Sequence, residues 1–153
     1  MEALLYSHGA PYAAAMSDKK SDCIRAVIPM LVCRDAASEI EFCKTAFGAV
    51  ELSRRAEADG TVAHATLTIR EAMLFIHGEA ASLASSAPQL DGSSSVVIYV
   101  YLEDVDRVVD RAVAAGATVL MPVTNAFWGD RVGRIIDPSG HVWNVATRAK
   151  HKP

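Results

Sequence analysis

DVDRVVDRAVAAG, residues 104–116, has a counterpart earlier in the chain: DAASEIEFCKTAFG, residues 35–48. Each opens on an aspartate, whose carboxylate can accept from the free N–H groups of a helix's first turn. Each closes on a glycine, the residue that most readily takes the left-handed conformation ending a helix. Between the caps the apolar residues recur at helical spacing: Ala36, Ile40, Cys43 and Phe47 in one, Val105, Val108, Val109, Ala112 and Val113 in the other. The pattern predicts two helices related by an internal repeat.

The flanks repeat as well. Residues 26–33 and 96–102 precede the two helices and are rich in β-branched, aromatic and other apolar side chains, as strands are. After each helix a strand leads to a turn, Asp59-Gly60 in one half and Trp128-Gly129-Asp130 in the other. Two more strands follow in each half, residues 62–69 with 72–77 and residues 131–136 with 141–147, around turns at Arg70-Glu71 and Asp137-Pro138-Ser139-Gly140. Each half therefore reads β-α-β-β-β over about 50 to 60 residues. The expected organisation is a single domain at 23–150, with module 1 over about 24–78, an Ala/Ser/Gly-rich linker at 79–95 and module 2 over about 96–148. One helix covers one face of a four-stranded sheet, so the other face is left to water or to a ligand. Two such halves make an α+β fold, a curved mixed sheet with a concave inner face.

Composition agrees with a packed domain. Of 153 residues 51% are apolar and 22% charged, a balance that disordered chains do not have. The net charge is −3 and no basic stripe appears, which argues against nucleic acid as a partner. No apolar run approaches the roughly 20 residues a membrane helix needs. Residues 1–22 lack a basic start, and His8, Gly9 and Pro11 interrupt their apolar stretch, so they read as a mobile extension and not as a secretory signal. Cys23, Cys33 and Cys43 are spaced like neither a zinc knuckle nor a redox pair, and are expected as reduced thiols in a cytoplasmic protein.

The order of these elements resembles the vicinal-oxygen-chelate superfamily, the glyoxalase/bleomycin-resistance/dioxygenase group, and within it the PhnB-like branch. Four stretches carry the resemblance: DAASEIEFCKTAFGAV at 35–50, DGTVAHATL at 59–67, LEDVDRVVDRAVAAGA at 102–117 and WGDRVGRIIDPSGHVWNVAT at 128–147. The last is the most specific. The resemblance implies paired βαβββ modules, frequent homodimers and, in many members, a divalent metal held by His and Glu on inward-facing strand positions. Those positions fall on Ile28, Phe75, Val97 and Asn144 of this sequence. Three apolar side chains and an amide offer a hard or borderline ion no adequate donor set, so neither a metal nor another cofactor is expected.

Strand alternation extends the inner face from those four positions. Met30 and Val32 go with Ile28, Met73 and His77 with Phe75, Tyr99 and Tyr101 with Val97, and Val142 and Ala146 with Asn144. Residues 96, 98, 100 and 102 form the opposite, helix-facing set. The expected lining for a small organic ligand is His64, Phe75, His77, Tyr99, Tyr101, Trp128, Arg131 and Asn144, with Trp128 as a stacking lid and Arg131 holding an anionic group. The plainer alternatives are a hydrogen-bonded cleft or interface imidazole for His64, and a hairpin covering the cavity mouth or a dimer partner for Trp128 and Arg131. His141 and Trp143 read as a strand start and a core aromatic, and the charged run at 104–111 as a solvated helix face with i,i+4 pairs.

Three functional readings follow. One is a metal-independent protein that binds a hydrophobic or aromatic small molecule, with antibiotics among the candidates. Another is a lyase or isomerase of the glyoxalase type whose metal has moved to His64, His77 or His141. The third is a structural or partner-binding dimeric module. No residue is assigned a catalytic role.

Overall fold

The two helix caps hold as pairs of atoms in the computed structural model, which describes residues 27–148. Asp35 Oδ1 accepts from Ser38 N at 3.0 Å and opens α1, Ala36–Phe47. Asp104 Oδ1 accepts from Arg107 N at 3.3 Å and opens α2, Val105–Ala114. Gly48 and Gly116 follow the helices with φ of 68° and 105°, the left-handed region where a Cβ is disfavoured. The extension expected at residues 1–22, and Cys23, lie outside the described residues.

Module 1 consists of β1 (Met30–Cys33), α1, β2 (Val50–Ala56), β3 (Val62–Ile69) and β4 (Ala72–Gly78). Module 2 repeats it with β5 (Val97–Tyr101), α2, β6 (Thr118–Asn125), β7 (Arg131–Ile136) and β8 (Val142–Thr147). The sheets are ordered β1-β4-β3-β2 and β5-β8-β7-β6, so the repeat extends to topology. In each, the first strand runs parallel to the last and the other pairings are antiparallel. β1 is shorter than the 26–33 expected. Pro29 has no N–H to donate, and its carbonyl alone joins the sheet by accepting from Phe75 N at 2.9 Å. Val96 precedes β5 and is exposed, so it drops out of the helix-facing set expected for that strand.

Each helix lies on one face of its sheet. Ile40, Cys43 and Phe47 of α1 pack on Leu31, Cys33, Leu67, Leu74 and Ile76; Val105, Val108 and Ala112 of α2 pack on Ile135, Trp143 and Val145. These sets form one continuous core. Its joint is Phe47 against Trp143, with ring centroids 4.7 Å apart. Arg111 of α2 also donates to the carbonyl of Ala46 in α1, at 3.1 Å. The halves repeat in pattern yet share an interior.

Two polar features sit in that interior. Asp137, in the turn before β8, accepts from Ser139 N and His141 N through Oδ1 and from Trp143 Nε1 through Oδ2. Glu39 of α1 is fully buried; its Oε1 accepts from Cys43 Sγ and its Oε2 has no partner among the described residues. Burial and the neighbouring Asp137 charge raise the Glu39 carboxyl to about 8. Burial likewise pushes the thiols of Cys33 and Cys43 well above their ordinary range, which suits inert core residues.

The segment between the modules is pinned. A single 3₁₀ turn spans Ala81–Leu83, Ala80 bridges Ser85, and Glu79 Oε1 accepts from Ala87 N at 2.8 Å. Arg34 reaches the carbonyl of Pro88 at 2.6 Å and ties this segment to module 1.

Candidate functional site

Cross-strand pairing fixes which side chains share the face turned away from the helices, because directly opposed residues project to the same side. In module 1, Met30 and Thr66 lie opposite Phe75, Val32 and His64 lie opposite His77, and Thr68 lies opposite Met73. In module 2, Val97, Tyr99 and Tyr101 lie opposite Val142, Asn144 and Ala146. Arg134 stands on the other side of Asn144, and Met121 beyond it. Burial alternates accordingly: in β4, Leu74 and Ile76 are buried while Met73, Phe75 and His77 are half-buried.

The module 1 set is built around imidazoles. His64 and Phe75 have centroids 5.1 Å apart, and the His64 and His77 rings stand 6.2 Å apart. The His77 Nδ1–H donates to the carbonyl of Gly78 at 2.5 Å, which leaves Nε2 without its proton when the ring is neutral. Burial first, then the neighbouring His77 and Arg55, lower the pKa of His64, so its ring is neutral around pH 7. Thr66 is buried, and its hydroxyl has no partner among the described residues.

In module 2 the set is aromatic. Tyr99 and Tyr101 stack with centroids 5.2 Å apart and planes 33° from parallel. Asp130 Oδ2 accepts from the Tyr101 hydroxyl at 2.7 Å and from Trp128 Nε1 at 3.2 Å. One carboxylate thereby fixes both the strand aromatic and the hairpin aromatic, and its hydrogen bond raises the Tyr101 pKa. The Arg148 guanidinium carbon lies 5.1 Å from the Tyr101 ring centroid, a cation–π distance. At the seam between modules a cavity of about 300 Å³ opens, lined mainly by apolar groups including Ile28, Met73, Ile98, Tyr99 and Trp143.

Not every expected residue joins these sets. Arg131 pairs with Thr147 across the sheet and turns toward α2, where Nε and Nη2 each donate to Asp106 at 2.7 Å. The anion-holding place given to it from sequence is therefore a correction: its charge is already matched by a carboxylate on the helix side. The same pair changes the reading of the 104–111 run, since Asp106 reaches across to β7 and Arg111 to α1, beyond helix-internal pairing. His141 turns toward the core, with Nε2 3.1 Å from the Val32 carbonyl and 3.8 Å from Cys33 Sγ, and so does not converge with His64 and His77. Trp128 sits on the hairpin tip, 56% exposed, edge-on to Phe127. Arg134, Asp130 and Met121 were not among the lining residues expected from sequence and belong to the inner face or its rim.

The metal that the resemblance implies can be tested on donor chemistry. Ile28, Phe75 and Val97 carry no donor atom. Asn144 Oδ1 already accepts from Arg134 Nε at 2.8 Å, which sets a fixed positive charge where a cation would need to approach. Among the described residues no group of three or more His, Cys, Asp or Glu side chains could hold an ion. The residues do not fit a divalent metal at the positions the resemblance gives.

Two βαβββ modules, each with a helix on one face of its four-stranded sheet, define the class of fold. The sequence model of the Glyoxalase/Bleomycin resistance protein/Dioxygenase superfamily matches residues 25–145, and the chain belongs to that superfamily. An uncharacterised protein of Mycobacterium bovis is 39% identical over 123 residues, covering 78% of this chain and 81% of its own. Among solved structures, TioX from Micromonospora sp. ML1 superposes with a TM-score of 0.63 at 25% identity, over 80% of this chain and 97% of TioX. The fosfomycin resistance protein FosX from Mesorhizobium loti has a TM-score of 0.58 at 17% identity, over 81% and 92% of the two chains, and shares the fold. No helix among the described residues is long and apolar enough to cross a membrane.

Proposed function

We propose that this protein is a metal-independent receptor for a hydrophobic or aromatic small molecule, antibiotics included, working as a cytoplasmic homodimer of the PhnB-like branch. The observation that carries the reading is the inner face itself: aromatic rings at Phe75, Tyr99 and Tyr101, and apolar side chains at three of the four positions where relatives would place metal donors. Rings with fixed polar tips favour stacking and a few directional hydrogen bonds, which is how small organic ligands are held. The family to which the chain belongs includes bleomycin resistance proteins by its own description. A dimer is supported by the apolar side chains left outside the core, with Met30 53% and Val50 58% exposed. The Trp128 turn and the following Asp137-Pro138-Ser139-Gly140 turn support the branch assignment.

The test is a titration of the purified protein with a panel of aromatic antibiotics, following Trp128 and Trp143 fluorescence and thermal midpoint. Quenching and stabilisation by at least one compound are expected; no response to any removes the reading. Metal analysis after chelator-free purification tests the other half, and a near-stoichiometric ion would overturn metal independence. The facing imidazoles of His64 and His77 support a second reading, an enzyme in which neutral His64 takes a proton from a bound substrate. It requires turnover that His64→Gln abolishes while ligand affinity is kept.

A further inference from the structure

Tyr99, Asn144, Arg134 and Met121 face one another in turn on four successive strands, β5, β8, β7 and β6. They form a single row across the inner face of module 2. Neighbouring strands lie about 4.8 Å apart, so Tyr99 and Arg134 leave the sheet roughly 10 Å from each other.

Among the described arginines, Arg134 and the exposed turn residue Arg70 neither pair with a carboxylate, donate to a backbone carbonyl nor cover a ring, and of the two only Arg134 is half-buried. Arg54, Arg55, Arg107 and Arg131 have carboxylates within ion-pair distance. Arg34 and Arg111 donate to backbone carbonyls, and Arg148 covers Tyr101. Arg134 is half-buried, and its one hydrogen bond among the described residues is from Nε to the neutral amide of Asn144. Had that position carried a glutamate, the charge would be cancelled; the amide orients the guanidinium and leaves its charge whole. Both Nη groups, four N–H donors in a planar fork, are uncommitted among the described residues. The side chain lines an open cleft of about 320 Å³, together with Val97, Leu120, Met121 and Val142. Asp91 also lines that cleft, and its Oδ1 accepts from the backbone and hydroxyl of Ser93.

We propose that Arg134 is an anion anchor, and that the molecule held on this face is an aromatic acid whose carboxylate lies about two strand spacings from the ring stacked at Tyr99. The inference rests on the aromatic-ligand reading above and adds the ligand's charge and length. A guanidinium meets a carboxylate through two parallel hydrogen bonds, and the half-burial of Arg134 reduces the screening that weakens such pairs at open surface. The same charge disfavours a divalent ion beside Asn144. The protein thus carries a fixed cation of its own where relatives would recruit a metal.

Biphenyl-4-carboxylate and its neutral counterpart biphenyl-4-carboxamide separate charge from shape. Calorimetric titration of the full chain should give about tenfold to a hundredfold tighter binding of the acid. Arg134→Gln should abolish that preference while amide binding and thermal midpoint hold, and Arg134→Lys should restore part of it. Equal binding of both compounds by the wild type, or an acid preference that survives Arg134→Gln, overturns the anchor and leaves the aromatic-ligand reading standing. Failure of the wild type to bind either compound overturns both.

Discussion

The indole Nε1 of Trp143 donates to Asp137 Oδ2 across 2.7 Å, with both side chains at or below 2% exposure. The same carboxylate holds the backbone N–H groups of Ser139 and His141. Asp137→Ala leaves three donors in the interior without their acceptor, and an unsatisfied buried donor costs about 1–3 kcal/mol. We expect Asp137→Ala to lose about 3 kcal/mol or more in a urea titration. A loss below about 1 kcal/mol would mean that other groups replace the carboxylate.

Glu39 gives stability a pH dependence. Its folded pKa is raised to about 8 from the ordinary 4.5, so the stability tied to its protonated form is fully present below pH 4.5. As the pH climbs toward 8 the unfolded chain ionises first, and that stability is lost. His141 acts in the opposite direction: burial lowers its pKa below 6.5, so its contribution is lost as the pH falls from there through the folded value. The difference between wild type and Glu39→Gln isolates the carboxyl. The variant's thermal midpoint should decline less between pH 5 and 8 than the wild type's, and parallel curves would remove Glu39 as the cause.

Tyr99 is 41% exposed, so its removal disturbs little of the core. Tyr99→Ala should weaken the best-binding aromatic compound at least about tenfold, in line with buried aromatic anchors elsewhere, while the thermal midpoint moves little. Unchanged affinity would relocate the site to module 1.

Arg131 supplies the contrast with Arg134. Its partner Asp106 is well exposed, and exposed ion pairs contribute little. Arg131→Met should change neither the thermal midpoint appreciably nor the affinity for an aromatic acid, in the titration that finds Arg134→Gln defective. A selective loss of acid binding in Arg131→Met would return the anion-holding role to it.

The repeat, the caps and the order of strands and helices were legible in sequence, because period two, period 3.6 and the Asp and Gly caps are local signals. Arg134 was not, and the reason is a turn. A turn of Asp137 to Gly140 alone would set Ile136 opposite His141 and Gly133 opposite Asn144. In the structure Asp137 N donates to the His141 carbonyl, so His141 belongs to the loop, the register moves by one, and Arg134 faces Asn144. The same shift turns Arg131 toward the helix. Alternation along β7 could not reveal this, since Ile135 and Ile136 are both buried and its two faces look alike from sequence.

The contact of Phe47 with Trp143 ties the chain's future variation to its strands. Neither half can be remodelled from its interior without unsettling the other, so a helix-side substitution in one is paid in the other. New ligand preferences are therefore cheapest at alternate strand residues pointing away from that joint, where Tyr99, Asn144 and Arg134 can be exchanged with the shared interior left intact.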